Sequence, residues 1–420
     1  MQTVFRLLTV VLGLASLEIL SAASMALYDG PGNGNSLAHG VRLRGDELMR
    51  AWRTQTTFGD FDPITQTRHL PGSMYAELSV NQHGFIGNGH DEDQLNTFPE
   101  KPEDLIRVIL LGGSSTAGSG VTENGHTISA QLERLLNSEE VENTGLAGTR
   151  FQVLNFGIAG GYTALEFMKF WTEIVHYQPD IVITLDGFND AWNTVFEYHR
   201  YGLENPIANW FGPSYGYFER NSGLRSNNEF SPRLMTFTSV AVNRLFWKLR
   251  GREERLGLYS THPSFHYTGQ LQLDFPYLEN VIKANLMSFA SSASAMNICF
   301  IAYLQPHALE GKSLNGEEQE RLTTFFEEYE REFGSAFSED KYRSSIIPAF
   351  GAYSQVYAEL AQRAWGSPCI LFSDIRDLFN DEEGTVYVDN IHYTALGNRL
   401  LARRYADDMH IIQAGISLLR

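Results

Sequence analysis

The chain has 420 residues, of which 43% are hydrophobic and 20% charged, with a formal net charge of -18. That length and apolar content can bury a large core, so the chain reads as one enlarged domain with accessory segments. Acidity of this size excludes a nucleic-acid-binding role, because neutralising phosphates needs clustered Lys and Arg.

Arg6 is followed by an apolar stretch from Leu7 to Leu27, close to the ~20 residues that a spanning helix needs. Glu18 interrupts it. A mid-helix acid costs roughly 3 kcal/mol, against roughly 0.3 to 0.6 returned by each Leu, Ile or Val, so insertion is marginally favourable. The stretch is either a signal peptide cut after Ala23 or Ala26, or a single uncleaved transmembrane anchor, with the balance tipping to the anchor. No Lys or Arg lies between Arg6 and Arg42, so the positive-inside rule sends the rest of the chain outward, to the periplasm or beyond.

Five segments follow from the pattern: a leader (1–28), a linker and lead-in (29–100), the first part of a core (101–195), an aromatic-rich insertion (196–276) and the second part of the core (277–420). The lead-in opens with the linker-like run Asp29-Gly-Pro-Gly-Asn-Gly-Asn-Ser36. In the core, apolar runs alternate with amphipathic helices. The spacing predicts strands at Ile106–Gly112, Phe151–Ile158, Asp180–Asp186, Asn297–Gln305 and Cys369–Phe372. Helices are predicted at Ile128–Leu136, Ala164–His176, Tyr277–Ser294 and Ala352–Ala364, and from Ala395 onward. The fold class expected is α/β: three layers, doubly wound around a parallel five-stranded sheet of flavodoxin-like order, with the insertion after the third strand.

Cys299 and Cys369 are the only cysteines. They exclude a disulfide framework and a cysteine zinc site. Both lie near the starts of neighbouring predicted strands, which would allow a bond between them; we read them as two buried free thiols.

In open α/β sheets the reacting groups gather at the carboxyl ends of the strands. The first predicted strand ends in Gly112-Gly113-Ser114-Ser115-Thr116-Ala117-Gly118. A serine between a strand end and a helix start exposes its Oγ and leaves its N–H free to face an oxyanion. A phosphate loop is excluded, because no Lys-Ser/Thr follows the second glycine. The second strand runs into Gly160-Gly161 and the third into Gly187-Phe188-Asn189-Asp190, where a backbone N–H and an amide side chain could serve the same oxyanion. Near the C-terminus, Asp389-Asn-Ile-His392 puts a carboxylate three residues before an imidazole. On a tight turn Asp389 can accept from Nδ1 and leave Nε2 to take a serine proton.

The blocks Gly112-x-Ser114-x-x-x-Gly118, Gly160, Gly187-x-Asn189-Asp190 and Asp389-x-x-His392 resemble, in order, those of the SGNH (GDSL-like) hydrolases. Val80-Asn81-Gln-His-Gly84-Phe85 and Tyr393-Thr-Ala-Leu-Gly397-Asn398-Arg399 look like secreted or membrane-anchored bacterial members. The resemblance spans residues 75 to 410 apart from the insertion. It implies Ser114 as nucleophile, His392 as general base and Asp389 as its orienter, with an oxyanion hole from the Ser114 N–H, the Gly160 N–H and the Asn189 side chain. It implies no cofactor and no metal. Gly113 stands where the family usually has aspartate, which removes a hydrogen bonder that shapes the loop.

Other motifs carry less. Gly212-Pro-Ser214-Tyr-Gly216 matches the G-x-S-x-G elbow, but no strand precedes it. His262 and His266 flank a proline that opposes a helix aiming both at one metal. Aromatics of the insertion, Trp210, Phe211, Tyr215, Tyr217, Phe218, Trp247 and Tyr267, either pack the insertion itself or offer stacking faces to a sugar or acyl group. The acidic stretch from Glu317 to Glu332 reads as a solvated helix face.

The expected activity is hydrolysis of a carboxylic ester through an acyl-serine, on an acylated glycan or a lipid as the resemblance implies. O-acyl transfer by the same triad and a non-catalytic ligand-binding module on this fold are the competing readings. The membrane is a partner through the N-terminal segment if that segment is uncleaved.

Overall fold

A computed structural model describes residues 60–62, 66–89, 101–138, 150–192, 275–333, 338–365, 367 and 369–419. They belong to one compact unit, Thr56–Ser214 together with Phe265–Arg420. The apolar leader, residues 196–274 of the insertion, Ser214, His262 and His266 lie outside the described residues.

Two short antiparallel ribbons come first, β1 (Asp60–Asp62) with β2 (Gln66–Arg68) and β3 (Met74–Tyr75) with β4 (Leu78–Ser79). The main sheet is built from β5 (Leu105–Gly112), β6 (Arg150–Asn155), β7 (Ile181–Asp186), β8 (Cys299–Leu304) and β9 (Ile370–Asp374), in the spatial order β6-β5-β7-β8-β9. All four pairings are parallel. Counted along the chain this is order 2-1-3-4-5, the flavodoxin-like arrangement expected from the alternating pattern. Every residue of β5, β7 and β8 is buried, as unbroken apolar runs require when both faces of a parallel sheet are covered.

Helices supply those covers. Helix α1 is the single turn Ser114–Ala117, and α2 (Ile128–Leu136) packs with the C-terminal helix. The other group contains α3 (Thr163–Thr172), the short α4 (Phe188–Trp192), α5 (Phe275–Ala295), α6 (Gly316–Phe333) and α7 (Glu339–Ala361). Within it α5 contacts both α3 and α7. The C-terminal helix α8 (Ala395–Leu419) lies against α2 and β8. Right-handed crossovers from a sheet of this order place the two groups on opposite faces. No helix among the described residues is long and apolar enough to cross a membrane.

Three expectations need correction. Helix α7 begins at Glu339, not Ala352, and runs through Pro348. Ser338 caps its start by accepting from the Lys341 N–H, and buried Ile346, Ala349 and Phe350 anchor it on both sides of the proline. Cys299 and Cys369 are joined as a disulfide and not free: adjacent parallel strands start together, leaving their Cα atoms 4.6 Å apart. Within the acidic stretch, Glu317, Glu320, Glu327, Glu328 and Glu330 are exposed as expected, whereas Glu318 is buried in an ion pair with Lys312.

The lead-in segment bears on the catalytic edge of the sheet. Tyr75, Leu78, Val80 and Ile86 form a small apolar cluster with Ala117 of α1 and Ala159 of the loop after β6. His69 Nε2 bonds the Gly157 carbonyl at 2.9 Å, and the Ile86 N–H donates to the Asn155 carbonyl at 3.1 Å.

Candidate active site

The strand-end rule places the candidate groups at one rim, and the structure brings Ser114, Asp389 and His392 together there. Ser114 opens α1 directly beyond β5, with Gly113 as an extended N-cap whose position offers no side-chain cap. Its Oγ lies 2.7 Å from His392 Nε2. His392 Nδ1 lies 2.6 Å from Asp389 Oδ2. With the carboxylate accepting at Nδ1, Nε2 is left to accept the Ser114 proton. The side chains of His392 and Asp389 keep 20% and 26% of their surface exposed, so the site is open to a reactant.

Asp389 sits on a tight turn, where Oδ1 accepts from the Ile391 and His392 N–H groups at 2.9 and 2.8 Å. Burial alone would raise its carboxyl. The neighbouring His392, through charge and hydrogen bond, and the two backbone N–H groups outweigh burial and hold it below the ordinary value. The turn itself is pinned by the Val388 N–H to the His392 carbonyl at 2.8 Å and by the bridge between Tyr387 and Tyr393.

Ser115, the alternative nucleophile in the same loop, is buried and donates its hydroxyl to the Ile391 carbonyl at 3.0 Å. It is spent on tying α1 to the Asp389–His392 turn. Ser114 is the hydroxyl that faces the imidazole.

The oxyanion candidates surround the same hydroxyl loop. Gly160 has φ +74, a left-handed turn that favours glycine. Neither its N–H nor that of Ser114 donates to an acceptor among the described residues. Asn189, at the start of α4, gives one Nδ2 proton to the Gly161 carbonyl at 2.6 Å and keeps a second. Asp190 accepts from the Thr163 hydroxyl at 2.6 Å and from the Thr163 N–H, which couples the Asn189 helix to the Gly160–Gly161 loop. Burial first, and then the charge of Asp186, push the Asp190 carboxyl up to about 7, against the bonds from Thr163.

Sequence reasoning missed several supporting groups. Asn155 Nδ2 donates to the Thr116 carbonyl at 2.9 Å while its Oδ1 accepts from the Gly157 N–H at 3.0 Å, joining the nucleophile turn to the oxyanion loop. Its signal was an amide at the end of a strand, directly before the glycine loop. His69 carried no local signal, and Glu318 carried only the Asn315-x-x-Glu318 spacing of a helix start. Among the described residues no group of three or more His, Cys, Asp or Glu could hold a metal ion.

No family model and no curated protein matches this chain. Several solved structures are similar to it. An acetyl xylan esterase matches over 72% of this chain and 99% of its own, at 14% identity and TM-score 0.35. An acetylxylan esterase from Geobacillus stearothermophilus matches over 73% and 94%, at 14% identity and TM-score 0.36. A structure of TesA matches over 75% and 99%, at 13% identity and TM-score 0.34. Likeness this distant assigns no chemistry to this chain.

Proposed function

We propose that this protein is a serine ester hydrolase in which Ser114 is the nucleophile, His392 the general base and Asp389 its orienter. One observation carries the reading: an unbroken chain of hydrogen bonds from the Ser114 hydroxyl through His392 to the Asp389 carboxylate. A hydroxyl is a weak nucleophile unless a base takes its proton, and the base needs a fixed tautomer.

The steps follow from these contacts. His392 Nε2 removes the Ser114 proton as Oγ bonds the ester carbonyl carbon. The resulting oxyanion is met by the N–H groups of Ser114 and Gly160 and by the second Nδ2 proton of Asn189. As the tetrahedral species collapses, His392 returns the proton to the leaving alcohol, leaving an acyl-serine. Water then attacks, gives its proton to His392, and the carboxylic acid departs as Ser114 regains its hydrogen. Asp389, kept ionised, stabilises the imidazolium formed at each stage.

We place this chemistry outside the cytoplasm, on acylated glycans or lipids. The apolar leader and the Cys299–Cys369 disulfide support that placement, since disulfides persist in oxidising compartments. A fluorophosphonate probe tests the activity: the protein should be labelled once, and Ser114→Ala should not be labelled. An unlabelled wild type, or a labelled Ser114→Ala, overturns the assignment. Product analysis with and without an added sugar alcohol separates hydrolysis from acyl transfer.

A further inference from the structure

Glu318 is the third residue of α6, and Asn315 precedes the helix in the pattern Asn-x-x-Glu. Asn315 Oδ1 accepts from the Glu318 N–H at 3.0 Å, and Glu318 Oε2 accepts from the Asn315 N–H at 3.0 Å. That reciprocal pair is a capping box, and it accounts for Oε2 alone. The other oxygen points away from the helix. Oε1 accepts from the Val386 N–H at 2.8 Å and the Tyr387 N–H at 3.2 Å. A buried lysine completes the arrangement, with Lys312 Nζ 2.7 Å from Oε2 and side-chain exposures of 1% and 0%. Burying such a pair costs several kcal/mol of desolvation per ion. A helix cap on the surface would need none of it.

The segment that Glu318 grips leads straight into the triad. Tyr387 also offers its carbonyl to Arg321 Nη1 at 3.1 Å. Val386 accepts from the Thr394 N–H at 2.9 Å, and Val388 donates to the His392 carbonyl at 2.8 Å. Residues 386–388 and 392–394 thus form two sides of a tight ribbon whose tip carries Asp389. Glu318 holds one side by two adjacent N–H groups, and the ribbon has no freedom to slide without breaking both.

We infer that Glu318, neutralised by Lys312, is a positioning residue that sets where Asp389 and His392 stand relative to Ser114. This inference rests on the esterase reading, and it adds a distant carboxylate that touches no reactant. Positional errors on the order of 1 Å cost about 100-fold in rate, so a grip on the ribbon reads out as kcat.

The test compares the full-length wild type with Glu318→Ala, Glu318→Gln, the double variant Lys312→Met/Glu318→Gln, and Ser338→Ala, which removes a helix cap elsewhere. Three quantities are measured: the low-field proton resonance of the His392 Nδ1–H, kcat and KM on p-nitrophenyl acetate, and the melting temperature. Glu318→Ala should shift or broaden that resonance and lower kcat by about 100-fold with KM unchanged. The double variant keeps an oxygen for the two N–H groups and strands no charge, so it should lie closer to wild type on both readouts. Ser338→Ala should lower the melting temperature alone. If folded Glu318 variants leave the resonance in place, or lower the melting temperature alone as Ser338→Ala does, Glu318 is a helix cap and nothing more. Should the wild type fail to hydrolyse the ester, the esterase reading falls, while the resonance still reports whether Glu318 holds the ribbon.

Discussion

Asn189 occupies the space that any side chain on residue 113 would need: a Cβ built on Gly113 falls 2.2 Å from Asn189 Nδ2. The amide lies beside the nucleophile turn because the residue before Ser114 is glycine. Gly113→Ala should drive the amide away and lower kcat by roughly 100- to 1000-fold, the usual cost of one oxyanion donor. Asn189→Ala should cost about as much, and the double variant little more than either, since both remove one interaction. Costs that multiply across the double variant would show that Gly113 and Asn189 act separately.

Asp389→Asn keeps the size of the side chain and changes what it can offer His392. An amide Oδ1 can still accept from the Ile391 and His392 N–H groups. Its NH₂ would then face Nδ1 and force the proton onto Nε2, where it blocks acceptance from Ser114. The expected loss is about 10,000-fold in kcat at neutral pH, with the fold intact. Near-normal turnover of p-nitrophenyl acetate by this variant would remove Asp389 from the mechanism.

The sheet was legible because its cause is local: β5, β7 and β8 are apolar at nearly every position, and only a strand covered on both faces reads that way. The hydroxyl, acid and imidazole were legible because each belongs to a short motif at a strand end or turn. What escaped depends on distant partners. The spacing from Asn315 marks Glu318 as a helix-start residue, but its burial is set by Val386, 68 residues on. The spacing to Gly118 singles out Ser114, but the role of Ser115 is set by the Ile391 carbonyl, 276 residues away. The neighbouring strand starts allowed a disulfide, but preferring it to two free thiols required the register of β8 on β9, and the early start of α7 required knowing what buries Ile346 and Phe350 around Pro348.

His69 links acid stability to the oxyanion loop. Its Nε2 bonds the Gly157 carbonyl, and burial, the dominant effect, lowers its pKa from 6.5 to about 4. Above 6.5 the ring is neutral in folded and unfolded chains alike. Between 6.5 and 4 the unfolded chain binds a proton that the folded chain refuses, so stability is lost as pH falls through that interval. A shift of this size is worth about 3 kcal/mol. His69→Gln should therefore be less stable than wild type at pH near neutrality and nearly level with it at the acid end, as read by urea unfolding at each pH. A gap independent of pH would mean the imidazole titrates freely in the folded protein.

Glu166 and Asp186 predict the opposite slope. Their carboxyls are fully buried and face each other, with the Thr184 hydroxyl as a further polar group beside Asp186. Two ionised carboxylates cannot remain in that contact, so one proton is shared, with Glu166 as the acid and Asp186 as the acceptor. Burial first, then the charge of Asp186, raises Glu166 well above its ordinary value of 4.5. The folded chain thus keeps a proton that the unfolded chain releases above that value, and stability declines as pH rises from there toward the folded pKa. Glu166→Gln offers Asp186 an amide N–H in place of the acid O–H and needs no proton to do so. The variant should match wild type near pH 5 and become the more stable of the two at alkaline pH, by urea midpoints taken at pH 5, 7 and 9. Midpoints that stay parallel across that range would exclude the shared proton and leave the pair ionised in some other arrangement.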